Sequence, residues 1–233
     1  MIEVEWWEYD SVDEMADAVA GDVGFIVESA LEARDSALIA LPGGATAAAI
    51  YPKIAERQLP WKRVTVIPTD DRLAPIDSEL SNVRAIAQSF LSVGARVFPI
   101  ATMIEDHRLA GNAADARLQD LSWPPDLVWL GVGADGHTAS IFAGPDLQDA
   151  LDAPKARRAV GVMPDPLPDD APVARVTLTR ASILAARTLL ITITGAEKRE
   201  LLEQAIKDGH SSRLPIGRVL AEAEQPIDIH WSA

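Results

Sequence analysis

An aspartate and a histidine two residues apart, set among glycines, form the part of this sequence best suited to chemistry. They are Asp135 and His137 in Gly131-Val132-Gly133-Ala134-Asp135-Gly136-His137, with Thr138 and Ser140 just beyond. A neutral histidine can take a proton from water near pH 7, and a carboxylate beside it can orient the ring or a bound polyol. The glycines allow a sharp turn, and their amides, Gly133 among them, are candidates to meet a developing oxyanion. Read without that chemistry, the same residues give a helix cap at Asp135 and a surface histidine at His137.

A second group suits an anion. Pro42-Gly43-Gly44-Ala45-Thr46 follows an apolar run and opens a helical pattern. A strand, a Gly-Gly turn and a helix start point free amides and a positive dipole end at a phosphate; a plain tight turn needs the same glycines. Thr46 is a candidate cap. Asp70-Asp71-Arg72 could place a polyol and its anionic group, or be a solvated turn. Of the four histidines, His107 falls on a polar helix face, His210 in a Gly-His-Ser loop and His230 near the end of the chain. None of these spacings resembles a set of metal ligands.

Gly131, Gly133 and Gly136 also fit the dinucleotide pattern G-x-G-x-x-G, and Arg157 and Arg158 could imitate a site for a 2′-phosphate. A cofactor-binding version needs a full crossover helix, yet Gly144-Pro145 ends any helix after seven residues. No cofactor is expected.

The elements that must hold these groups are legible from periodicity. Apolar runs at 36–41, 63–68, 95–100, 126–130 and 188–194 read as strands, the central one buried on both faces. Shorter strands are expected at 3–9, 158–163, 175–179 and 227–231. Helical patterns fall at 11–34, opened by Ser11 and Glu14 at capping-box spacing, and at 47–58, 81–91, 105–121, 180–186, 195–206 and 215–224. Gly21, Gly24 and Gly111 weaken two of them. This alternation predicts an α/β, Rossmann-like fold: a mainly parallel sheet with helices on both faces. Residues 145–174 are proline-rich and read as a small loop-rich lid or edge insertion within one domain spanning 1–233. The candidate groups all fall at carboxyl ends of strands, where such sheets bind ligands.

The whole chain narrows the class. A net charge of −14 argues against a nucleic-acid partner and means that an anionic substrate must be met by local cations or helix termini. There are no cysteines, which excludes disulfides and thiolate sites. No apolar run approaches a membrane span, and MIEVEWWEYD lacks the pattern of a signal peptide. A cytoplasmic protein is expected.

Taken together, these stretches resemble the 6-phosphogluconolactonase family, in its short bacterial form within the glucosamine-6-phosphate deaminase and ribose-5-phosphate isomerase-like group. The resemblance covers nearly the whole chain. Leu41 to Thr46 looks like the family's phosphate turn, Thr69 to Arg72 like its Asp-Glu-Arg motif, and Ser81-Asn82 like the Ser-Asn that follows. Leu130 to Ser140 is close to its most specific signature, and Arg175 to Thr179 and Gly195 to Lys198 match two later blocks. Deaminases share the Asp-Gly-His turn but continue with Ile-Ala-Phe-Asn-Glu-Pro, whereas this chain continues Thr-Ala-Ser-Ile-Phe-Ala-Gly. Ala45 stands in place of a serine, Asp71 in place of a glutamate, and no acid follows Trp231. These departures imply altered affinity rather than a lost reaction.

The resemblance implies hydrolysis of 6-phospho-D-glucono-1,5-lactone, with His137 as general base and Asp135 beside it. It implies a phosphate site built from Gly43, Gly44, Ala45 and Thr46 with Arg72, Arg175 and Lys198 as candidate partners, and Asp70, Asn82 and Gly133 among the substrate-binding residues. No metal or cofactor is implied. The partner is a small sugar-phosphate lactone, and the protein is expected to be a monomer or a weak homo-oligomer. A sugar-phosphate isomerase or deaminase, or a non-catalytic sugar-phosphate sensor, are the other readings.

Overall fold

The computed structural model describes residues 2–233. The elements run β1 (Val4–Tyr9), α1 (Val12–Arg34), β2 (Ala37–Leu41), α2 (Ala45–Ala55), β3 (Val64–Pro68), β4 (Asp70–Arg72), α3 (Asn82–Phe90), β5 (Arg96–Val97), α4 (His107–Leu118), β6 (Leu127–Gly131), α5 (Leu147–Leu151), β7 (Ala159–Val162), β8 (Arg175–Leu178), α6 (Arg180–Leu184), β9 (Thr188–Thr194), α7 (Ala196–Asp208), α8 (Pro215–Leu220) and β10 (Ile227–Ser232). Seven strands form one parallel sheet in the order β1-β10-β9-β6-β2-β3-β5. Every residue of β2 is buried, and alternation sorts them: Leu38 and Ala40 enter one core, while Ala37, Ile39 and Leu41 enter the other. A strand with both faces covered therefore needs an unbroken apolar run, and β2 and β6 have one.

The sequence pattern did not show a second sheet. β4, β8 and β7 pair antiparallel, separately from the seven parallel strands. The segment 145–174 thus carries α5 and β7 as well as loops, and β7 is part of the packing. Ala159, Val160 and Val162 share a core cluster with β6, β9 and β10. Gly111 of α4 and Gly161 of β7 make this approach possible, since a Cβ on either would meet the other element's backbone. The glycine that weakened the pattern of α4 is there for contact with β7.

Other boundaries shift by a few residues. The strand expected at 95–100 is only two residues long, because Pro99 has no amide to extend an edge strand. Helix α2 begins at Ala45 with Gly44 as its N-cap, so Thr46 lies inside the first turn and makes no cap. Helix α4 begins at His107, capped by Asp106, and His107 is half-buried with Nε2 3.5 Å from Asp146, instead of lying on an open polar face. α1 matches its expected span, with Ser11 Oγ accepting from the Glu14 amide at 3.2 Å.

His230 is fully buried between β10 and its neighbours. Its Nδ1 lies 2.9 Å from the Tyr9 hydroxyl, and Nε2 lies 3.4 Å from Asp22 Oδ2 without making a hydrogen bond. Burial pushes its pKa down from 6.5 to about 4. Above about pH 6.5 the ring is neutral in both states; below it the unfolded chain takes up a proton that the folded chain refuses until about pH 4. Stability therefore falls across that window by on the order of 3 kcal/mol. Thermal melting of the wild type and of His230→Phe from pH 7 to pH 4 checks this. The variant is expected to show the shallower acid slope, and parallel slopes would contradict the assignment.

Candidate active site

β2 and β6 lie side by side, and the chain leaves them in opposite directions: from β2 toward β3 and β5, and from β6 toward β9 and β10. The crevice at the carboxyl ends of such a pair is the switch point where open α/β sheets bind ligands. A cavity of about 340 Å³ lies there. Its walls include Gly43, Gly44, Ala45, Thr46, Asp70, Arg72, Asn82, Gly133, His137, Arg175 and Lys198. Of the residues expected at the site, only Asp135 is not on the wall.

Asp135 stands behind His137. Its Oδ1 lies 2.5 Å from His137 Nδ1 and also accepts the His137 amide at 3.1 Å. The hydrogen bond from His137 is the largest influence holding the Asp135 carboxyl below its usual pKa, so it is ionised and can only accept. That fixes the proton on Nδ1 and leaves Nε2 as the acceptor nitrogen. In this geometry the Asp135 carboxylate holds the His137 ring.

Gly133 has a different use from the one its type suggested. Its amide donates to the His137 carbonyl at 2.9 Å, and the Gly136 amide donates to Gly133 at 3.0 Å. Neither is free to meet an oxyanion. What Gly133 supplies is space, because a Cβ there would collide with Nδ1 and Cε1 of His137.

The other end of the cavity is cationic. Gly44 caps α2 with φ +95°, a value that favours glycine, and no side chain satisfies the first-turn amides. Arg72 and Arg175 are cross-strand partners in the β4–β8 ladder. Burial, then the Arg72 charge, push the Arg175 guanidinium below its usual pKa. Each arginine keeps a buried Nε with no hydrogen-bond partner. Two adjacent like charges with unused donors are costly unless an anion joins them. Lys198, in the first turn of α7, completes this wall.

Asn82 ties the two motifs together. It donates to the Asp70 carbonyl at 2.8 Å and accepts from Arg72 Nη1 at 2.7 Å. It can reach this position because Gly43 has no Cβ to obstruct its amide.

Asp70 and Asp71 part company. Asp70 lines the cavity and accepts from Ser140 Oγ at 2.5 Å. Asp71 faces the start of α3, where its carboxylate accepts the Asn82 amide at 2.7 Å, the Val83 amide at 3.3 Å and Ser81 Oγ at 3.3 Å. Burial outweighs these bonds and raises its pKa to about 6. Asp71 therefore anchors the start of α3, whose N-cap is Ser81, and does not line the cavity. Asp71→Ala is expected to lower stability by ~1–3 kcal/mol, as for a lost cap that leaves buried donors unmet. Denaturant unfolding measures it, and an unchanged midpoint would contradict the anchoring role.

The family model for glucosamine-6-phosphate isomerases/6-phosphogluconolactonase matches residues 10–231. The chain belongs to that family. It is 36% identical over 228 residues to a 6-phosphogluconolactonase of Rhizobium meliloti, covering 96% of this chain and 97% of the relative. It is 34% identical to one from Mesorhizobium japonicum, covering 97% and 94% of the two chains. The crystal structure of a 6-phosphogluconolactonase from Shewanella baltica superimposes with a TM-score of 0.90 at 27% identity, covering 99% and 98%.

Some residues around the cavity were not apparent from the sequence. Phe142 stacks on His137 with ring centroids 4.2 Å apart, and Asp170, from the loop before β8, reaches the cavity rim. Ser140 was visible in the signature, but its bond to Asp70 depends on two strands meeting in space. A larger cleft of about 510 Å³ lies between α4, α5 and β7. Arg108 there pairs with Asp146 and Asp149, and Asp152 with Arg180, while Arg157 donates to the Ala159 carbonyl and to Asn112 Oδ1. Among the described residues no group of three or more His, Cys, Asp or Glu is arranged to hold a metal ion, and no helix is long and apolar enough to cross a membrane.

Proposed function

We propose that the protein hydrolyses 6-phospho-D-glucono-1,5-lactone to 6-phospho-D-gluconate, the second step of the oxidative pentose phosphate pathway, in the cytoplasm and as a monomer or weak homo-oligomer. The observation that carries this is one cavity with an oriented, proton-accepting histidine at one end and an anion-binding wall at the other. The named relatives support the choice of lactone.

The phosphate is held by the free amides of α2 together with Arg72, Arg175 and Lys198. Asp70 and Asn82 contact sugar hydroxyls. His137 Nε2 takes a proton from water as the water oxygen attacks C1, and the imidazolium that forms is stabilised by Asp135. The imidazolium formed at His137 sits beside the negative charge that develops on the carbonyl oxygen, while the Gly133 and Gly136 amides are engaged elsewhere. Collapse of the tetrahedral intermediate breaks the bond from C1 to the ring oxygen, and His137 returns its proton to that oxygen. The new carboxylic acid ionises, so one proton is released for each lactone opened. Water is the sole co-reactant.

Conversion of lactone labelled with ¹³C at C1, followed by NMR, tests this. With enzyme, the lactone carbonyl signal is expected to become the carboxylate signal faster than in an enzyme-free control. Conversion at the control rate would overturn the proposal.

A further inference from the structure

Phe142 is not on the cavity wall, yet it touches two groups that are. Its ring stacks on the His137 imidazole, 4.2 Å between centroids and 24° from parallel. The Arg175 guanidinium carbon lies 4.9 Å from the same ring's centre. His137 follows β6 of the parallel sheet, and Arg175 belongs to β8 of the antiparallel one. The aromatic ring therefore spans the two halves of the site.

The loop carrying the ring is fixed at several points. Thr138 Oγ1 donates to the Gly131 carbonyl at 2.9 Å, the Ser140 amide donates to Thr177 Oγ1 at 3.2 Å, and Ser140 Oγ donates to Asp70 at 2.5 Å. Ile141 is fully buried in the core, so the adjacent Phe142 is not needed to fill it and remains only partly buried. Arg175 has little else to hold it: Nη2 donates to the Ala171 carbonyl at 3.2 Å, and Nε has no partner.

We propose that Phe142 is a positioning residue that uses its aromatic face to set the spacing between the base His137 and the phosphate-binding Arg175. This rests on the roles given above to those two residues. A stack and a cation–π contact each restrict one partner's orientation, and a reacting group displaced by about 1 Å can lose up to ~10² in rate. Removing the aromatic face while keeping apolar bulk should therefore affect turnover through His137 and affinity through Arg175 together.

The test compares wild type, Phe142→Leu and Phe142→Tyr on 6-phosphogluconolactone and on unphosphorylated gluconolactone. For Phe142→Leu, kcat on the phospholactone is expected to fall roughly tenfold and KM to rise several-fold. On gluconolactone only the fall in kcat should remain, and Phe142→Tyr should recover to within about threefold of wild type on both. The proposal is overturned if Phe142→Leu stays within about twofold of wild type, if both lactones lose kcat/KM equally, or if tyrosine is as poor as leucine. A wild type that opens neither lactone would instead remove the underlying functional reading. Proton NMR of the wild type decides the contact even if a Phe142 variant fails to fold. Ring-proton signals of His137, assigned with His137→Asn, are expected upfield of those of His210 because they lie over an aromatic face, and unshifted signals overturn the proposal.

Discussion

Replacing His137 with asparagine is expected to lower kcat on 6-phosphogluconolactone by about 10²–10⁴, the usual contribution of a positioned base. Asparagine keeps a polar group of similar reach but has no nitrogen that can carry the proton from water to the ring oxygen. The substitution leaves the cationic wall untouched. Calorimetric binding of the product, 6-phosphogluconate, should therefore stay within a few-fold of wild type. Spontaneous opening of the lactone must be subtracted, because it sets a floor under the apparent loss. A folded variant that keeps more than about a third of the corrected rate would show that His137 is not the base.

The second large effect concerns the phosphate. Gluconolactone without it is expected to have kcat/KM about 10²–10⁴ lower, since at least two charge-assisted bonds of ~1.5–3 kcal/mol each are lost. The same wall predicts an opposite pair of results for Arg175→Met. KM for the phospholactone should rise more than tenfold, more so at low salt, because a bidentate cation is gone. Melting temperature should hold or rise, because a buried guanidinium beside Arg72 is replaced by an apolar side chain of similar length. Initial rates on both lactones and a melting curve measure these. Lactones that differ by less than about threefold would contradict the phosphate site.

The Gly43 to Thr46 turn, the Asp135–His137 pair and Lys198 were legible because each follows an apolar run that ends in glycine. Burial on both faces dictates the run, and the turn dictates the glycine, so β2 with Gly43-Gly44 and β6 with Gly131 to Gly136 stand out. What each residue does there was less legible. Asp70 and Asp71 are the same residue type in adjacent positions. Strand alternation sends one to the cavity and the other to the start of α3, a difference set by how β4 pairs with β8. The three strands of the small sheet have three, four and four residues, too few to show that they pair, and β4 is distant in sequence from its partner. Gly133 reads in the sequence as an amide donor, because composition shows what a glycine permits but not which neighbour needs the space. Phe142 was hidden for a similar reason: after Ile141 it reads as more apolar bulk, and only the folded chain shows the rings it faces.

The most direct test of the account is a pH-stat measurement of the purified protein with freshly prepared 6-phosphogluconolactone, glucosamine 6-phosphate and ribose 5-phosphate in parallel. The expected result is proton release from the lactone well above its spontaneous rate, one proton per lactone, with no ammonia from glucosamine 6-phosphate and no ribulose 5-phosphate from ribose 5-phosphate. Lactone opening at the spontaneous rate, or turnover of either of the other two sugars, would contradict it.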